Sequence, residues 1–380
     1  MRLSAAERTV LDLVHPNGPT VPPLTGAEWD RVVALAVREQ VAPLVLAGLR
    51  QGCGGEVPAS VLIALETISL RTSAHAAAAY EQLTAVLRRL CAAGTAVALI
   101  KGAALARFAY ADSTLRPFND LDLLVSRHEL VAVDRALREA GYATAPAGAH
   151  GRRDAGERVY WDPAWRRVPI DVHWRFDADP LSLGIDYEAV LRRARAEVID
   201  TAPVLVLSPA DTLVALSAHF VKHLWGSQPR LRYLRDIAEI VRGSRVDWDV
   251  LAETTMKAPM ASSPLRLTLS AAARLTGARV PGGVLAALAA SRGARADRWI
   301  CDVVCGRILR RDAPVAALIQ VAVMRWLDRD IWDTYPRLTA AVVRVQSRRL
   351  VAAALGIKGR RMVARLSRMS EAAAQEAEAG

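Results

Sequence analysis

The chain has 380 residues, 52% hydrophobic and 23% charged, a balance that excludes an intrinsically disordered protein and allows a core for two or three domains. Its net charge is +11, nearly all of the excess being arginine, which leaves nucleic acid, an anionic surface or a polyphosphate substrate open as partners. Aromatic residues make up only 5%, so the abundant Ala, Val, Leu and Arg point to a mostly helical fold. Residues 1–94 are expected to form an N-terminal helical segment. Within it Thr25 and Glu28 have the spacing of a capping box, and "PASVLIALETISLRTSAHAAAAYEQLTAVLRRLCAAG" follows as one long helix or two, ending at Gly94.

The pattern changes at residue 95. "TAVALI" is a short β-branched apolar run, "KGAALARFAYAD" is helical, and "DLDLLV" is a strand after a turn containing Pro117. Ser126 and Glu129 in "SRHE" suggest another capping box, opening a helix that ends near Gly141. "ERVYWDPAWRRVPIDVHWRF" reads as a hairpin. Residues 95–185 therefore make a small α/β core. Helices are expected to return from residue 186 to 368, with Ser208 capping the helix that begins at Pro209, and a low-complexity tail occupies 369–380. The fold class is α+β and predominantly helical: a small mixed sheet flanked by N-terminal helices and a C-terminal helical domain.

Cys53, Cys91, Cys301 and Cys305 are too scattered for a disulfide framework, and Cys301 and Cys305 read as buried helix cysteines. The N-terminus carries charges through its apolar pattern, unlike a signal peptide, and "APVAALIQVAVM" is too short to span a bilayer. The expected location is the cytoplasm.

Chemistry concentrates in "LRPFNDLDLLV". Strand alternation puts Asp120 and Asp122 on one face, where two like charges repel unless something positive offsets the cost or the strand lies open to water. Upstream, Lys101 and Gly102 close a strand and open a helix. There Gly102 allows close approach of the backbone, and the helix start offers free amides to a phosphate. In "VPIDVHW" Asp171 and His173 share one face. If that strand lies beside "DLDLLV", three carboxylates converge and two divalent ions fit, one activating the attacking oxygen and one gripping a triphosphate.

These motifs, "IKGAALARFAYADSTLRPFNDLDLLV" followed by "IDVHW", resemble the DNA polymerase β-like nucleotidyltransferase superfamily, and within it a bacterial branch labelled uncharacterised nucleotidyltransferase. The likeness spans residues 25–245 and is most specific at 97–125 and 168–174. It implies a magnesium-dependent transferase using a nucleoside triphosphate, ATP as first choice. Asp120, Asp122 and Asp171 would be the catalytic metal ligands, and Lys101, Gly102, Ala103 and Arg116 would hold the nucleotide. The superfamily often has a hydroxyl at the second turn position; here it is Ala103, so backbone amides, Lys101 and Arg116 take over that contact.

The expected reaction moves a nucleoside monophosphate to a hydroxyl or phosphate of a small molecule. The alternatives are an RNA 3′ end, a silent nucleotide- or RNA-binding module, and a γ-phosphate kinase. His173, His219, His223 and Asp236 are candidates to line the acceptor. His219 and His223 lie one turn apart, but no glutamate follows His219 as a zinc-protease helix requires. Arg232 either lines the cleft or joins an ordinary ion pair, and Arg235 is read as the latter.

Overall fold

The computed structural model describes residues 3–15, 21–52, 56–145, 156–176, 183–225, 229–288 and, between 301 and 308, all but 303 and 307. The Arg-rich stretch 341–368, the tail 369–380, Cys53 and the side chain of Trp225 lie outside the described residues. Met1–Leu309 form one compact unit.

Four helices come first: α1 (Ala5–Val14), α2 (Gly26–Arg38), α3 (Ala42–Arg50) and α4 (Ala59–Ala92). The expected box at the start of α2 is present, with Thr25 N donating to Glu28 Oε2 at 2.8 Å and Glu28 N to Thr25 Oγ1 at 3.4 Å. The long apolar pattern is one helix, α4, of 34 residues. Next come β1 (Ala98–Ile100), α5 (Lys101–Phe108), β2 (Leu121–Leu124), α6 (Leu130–Glu139), β3 (Ala143–Thr144), β4 (Glu157–Trp161) and β5 (Ile170–His173). After α7 (Tyr187–Arg192), a hairpin of β6 (Arg195–Ile199) and β7 (Ala202–Val206) precedes α8 (Pro209–Trp225), α9 (Leu231–Gly243), α10 (Trp248–Lys257), α11 (Ser262–Thr276) and α12 (Gly282–Ala287).

The seven described strands form one mixed sheet in the order β3-β4-β5-β2-β1-β7-β6. Leu121, Leu123, Ile170 and Val172 face a core shared with Leu83, Leu87 and Leu90 of α4 and with Val133 and Leu137 of α6. With those apolar side chains committed to one face, alternation sends Asp122, Asp171 and His173 to the other. Over that second face comes α8, whose Lys222 holds Glu157 of β4 at 2.9 Å. Behind it α8, α9 and α11 pack on one another.

Two local expectations fail. The sequence gives helices beyond residue 185, yet the β6–β7 hairpin joins the sheet, β7 running parallel to β1. Its signal is weak because β6 is a mostly exposed edge, β7 contains Pro203, and the turn is Asp200-Thr201 with Asp200 at φ 52° rather than an Asn-Gly pair. The second is the box at Ser126, which does not form. The helix opens with a 3-10 turn, Ser126 Oγ instead meets His128 Nδ1 at 2.7 Å and Glu188, and Glu129 Oε1 accepts from Ala96 N at 3.2 Å. Cys301 and Cys305 are buried one turn apart, their sulfurs 3.9 Å from each other. Among the described residues no helix is long and apolar enough to cross a membrane.

Candidate active site

Sheet register assembles the site. β2 and β5 run parallel with Asp122 opposite Asp171 and Leu124 opposite His173, so two carboxylates and an imidazole from neighbouring strands share one face. Ligand atoms of Asp122, Asp171 and His173 all lie within 4.8 Å of one another. Asp120 stands just before β2, on the Asp122 side by alternation. At the end of β1, Ile100 pairs with Asp122, and the backbone then enters the left-handed region at Lys101, φ 51°. Such a conformation costs a non-glycine residue about 1–3 kcal/mol and tends to persist where function requires it.

From that joint the Lys101 ammonium meets Asp122 Oδ1 at 2.6 Å and His173 Nε2 at 3.1 Å. His173 Nε2 also lies 2.9 Å from Asp122 Oδ1. On the other side of the ring, Nδ1 is 3.4 Å from Glu157 Oε2 but makes no hydrogen bond. Burial would raise the Asp122 carboxyl; Lys101 and His173 override it and hold the group far below the usual carboxylate range. Among the described residues Asp171 lacks such a partner, and burial together with the charges of Asp122 and Asp120 pushes it up to about 7. Asp120 is raised for the same reasons, burial first and Asp122 second. Burial and Lys101 lower His173.

The residues expected to cradle phosphates sit differently. A Cβ on Gly102 would come 2.8 Å from Phe118 Cβ and 3.1 Å from Arg116 Nη1, so the close approach this glycine permits is to its own loop. Ala103 is fully buried in the core and its carbonyl accepts from Tyr80 Oη at 2.8 Å, leaving its amide as what it can offer a ligand. No side chain caps this first turn of α5.

Arg116 is 4% exposed and spent internally. Its Nη2 and Nε bind the two oxygens of Asp236 at 2.7 and 3.1 Å, with Tyr110 Oη donating to the same carboxylate at 2.9 Å. This fork-to-fork pair corrects two expectations: the Arg116 guanidinium faces a carboxylate rather than a phosphate, and Asp236, with no exposed surface, does not line an acceptor site. His173 stands in the carboxylate group with Asp122 and Asp171.

On α8 and α9 an aromatic cluster borders the carboxylates. The rings of His219 and His223 meet edge to face at 4.4 Å, and Tyr233 stacks on His223 at 4.9 Å. Burial, with Lys101 next, drives His219 well below its ordinary value; burial and Lys222 bring His223 down to about 4, so both rings are neutral at pH 7. Arg235 pairs with Glu239 and donates to Val14 O at 2.7 Å, the structural role expected of it. Of the tryptophans flanking the motif, Trp161 and Trp174 are half-buried and Trp165 is exposed.

The sequence does not single out Glu157 near the site, and it leaves Arg232 open between the cleft and an ion pair. Glu157 lies across from His173 in the antiparallel β4–β5 pair, a register set by a turn whose length alone does not reveal it. Arg232 reaches from α9 to the loop before β2, donating to Pro117 O at 2.9 Å.

Among the solved structures that resemble the chain are two of low identity. An antigenic nucleotidyltransferase-like protein from Paracoccidioides brasiliensis is 16% identical, with a TM-score of 0.30 over 50% of this chain and 92% of that one. The antibiotic-resistance factor ANT(2'')-Ia is 11% identical, with a TM-score of 0.30 over 48% and 89%. No curated protein matches the sequence. Residues 25–277, which hold every site residue above, match the family described as uncharacterised nucleotidyltransferase. The chain belongs to that family and is a transferase of its class.

Proposed function

We propose that the protein transfers a nucleoside monophosphate, AMP from ATP as the first choice, to a hydroxyl or phosphate of a small acceptor and releases pyrophosphate. The observation that carries this reading is the register that sets Asp122 beside Asp171 with His173 in the same 4.8 Å group. The donor set suits a divalent cation. Carboxylate oxygens are the usual ligands of Mg²⁺, and Asp171 and Asp120 are raised carboxyls with excess negative charge around them. Bound there, Mg²⁺ would neutralise the phosphates and acidify the attacking hydroxyl, and Asp120 offers a ligand for a second ion.

The chain's own residues supply the rest. Asp122 is the fixed anion, kept ionised by Lys101. Asp171 accepts the proton of the acceptor hydroxyl as that oxygen attacks the α-phosphorus and the bond to the bridging oxygen of pyrophosphate breaks. Free amides at the start of α5 face the phosphate side. Burial of Asp122 and His173, 4% and 1% exposed, favours an acceptor small enough to enter a recessed site.

The test is label transfer. With Mg²⁺, a panel of hydroxyl compounds and ATP labelled at the α- or the γ-phosphate, α-label should appear in product with stoichiometric pyrophosphate. Transfer of γ-label would make the protein a kinase, and nucleotide binding without transfer to any acceptor would make it a binding module.

A further inference from the structure

Resting on the nucleotide reading above, we infer that Arg232 is the residue that binds the outer phosphates of the polyphosphate substrate. Four cations stand around the carboxylates. Lys101 is paired with Asp122, Arg116 with Asp236 and Lys222 with Glu157. Arg232 alone of the four has no carboxylate within ion-pair distance among the described residues.

Its surroundings make that costly. Arg232 Nη1 donates to Pro117 O at 2.9 Å, and Arg116 Nη1 donates to the same oxygen at 3.0 Å, so two guanidinium groups converge on one neutral acceptor. Only one of the two charges is cancelled. The buried Nε of Arg232 has no hydrogen-bond acceptor, and the guanidinium carbon sits 5.1 Å from the Tyr233 ring centroid. A half-buried guanidinium with no carboxylate at ion-pair distance is uncommon in proteins, because the face of the Tyr233 ring makes up only part of its lost hydration. Burial, with Arg116 next, lowers the Arg232 pKa, as expected of a charge held there unfavourably.

The missing anion must also suit the neighbours. Arg232 acts electrostatically on Asp120, and His219 and His223 beside it are neutral. A ligand spanning Arg232 and the metal-binding carboxylates therefore carries several negative charges in a row, with oxygens for cations at one end and for a planar guanidinium at the other. A triphosphate has that form, and arginine binds phosphate oxygens in a two-pronged fashion.

Arg232→Gln and Arg232→Lys in the full chain test this with inorganic tripolyphosphate, titrated calorimetrically in MgCl₂ and again in EDTA, alongside thermal melts without ligand. Arg232→Gln should bind tripolyphosphate about ten- to a hundredfold more weakly than the parent. Its ligand-free melting temperature should equal or exceed the parent's, since a half-buried charge without an ion pair has been removed, and Arg232→Lys should recover part of the affinity. Unchanged affinity in Arg232→Gln overturns the assignment, as does a parent protein that binds no tripolyphosphate in either buffer. A melting temperature that falls with the affinity, with no recovery by lysine, assigns Arg232 to the fold instead. If Arg232-dependent binding holds but no nucleotide is ever transferred, only the proposed reaction is wrong.

Discussion

Lys101 holds Asp122 ionised and, on the proposed reaction, would also compete with the metal ion for it. Its ammonium neutralises the buried Asp122 and so competes with any divalent ion for the same Oδ1. Replacing it by methionine leaves Asp122 with His173 as its remaining partner, and stripping one member from a buried pair costs about 3–5 kcal/mol. Lys101→Met should therefore melt earlier than the parent in EDTA and gain more from added MgCl₂; an equal gain in both proteins would contradict the competition. Asp171 has the opposite problem, a carboxylate with too little positive charge near it. Its folded pKa of about 7 lies above the ordinary 3.8, so between those values the folded chain holds a proton that the unfolded chain has released. Asp171 therefore favours the fold at low pH and loses that contribution as pH rises from about 4 to 7. The lowered histidines His173, His219 and His223 pull the other way, favouring the fold above pH 6.5 and losing that contribution as pH falls. Subtracting the Asp171→Asn melting curve from the parent's in EDTA cancels the histidines. The variant should match the parent near pH 4, exceed it at pH 8, and transfer nucleotide at least about a hundredfold more slowly. A difference independent of pH would contradict the shift.

The loop 116–120 and the first turn of α5 act as one element because Gly102 lets them touch. Gly102→Ala would push a methyl into Phe118 Cβ and the Arg116 guanidinium, and overpacking of this kind costs about 1–3 kcal/mol. Since the loop feeds directly into Asp120 and Asp122, we expect kcat to fall together with the melting temperature; a variant that melts lower with undiminished kcat would show that the loop does not set the carboxylates. What could be read in the sequence followed the range of the interactions. The Asp120–Asp122 strand, the Asp171–His173 strand and the Thr25 box depend on neighbours a few residues away, and alternation or capping chemistry exposes them. Arg116 and Asp236 are 120 positions apart, and nothing local in either segment says which carboxylate closes the fork. The same holds for Glu157, whose place opposite His173 depends on hairpin register, and for the β6–β7 hairpin, whose strand identity comes from β1 alongside it. Arg232 stays undecided between cleft and ion pair for a further reason. Its significance is the lack of a partner, and a missing contact leaves no pattern in a sequence.

Over the described residues, the buried charges are largely matched. The N-terminal helices dock on α9 through Glu39, which accepts from Leu231 N at 2.9 Å, through Arg230, which donates to Arg38 O at 2.8 Å, and through Arg235 with Val14. Arg116–Asp236, Arg235–Glu239 and Lys101–Asp122 are matched pairs, and in the sequence the basic excess is concentrated in stretches such as 341–368, which holds no acidic residue. A surface field of that sign attracts any polyanion, and this is where the two acceptor classes separate. An RNA acceptor neutralised by six or more surface arginines would release as many counterions, and its affinity would drop about 10³-fold or more between 50 and 200 mM salt. A small neutral acceptor meets only the recessed site, where charges are shielded from bulk ions, and its KM should change less than about threefold over that range. ATP is charged in both cases, so it must be held saturating while acceptor KM is measured. A shallow dependence supports the small-molecule reading, and a slope steep enough to count several released ions would move the acceptor to the arginine-rich outer surface and make it a nucleic acid.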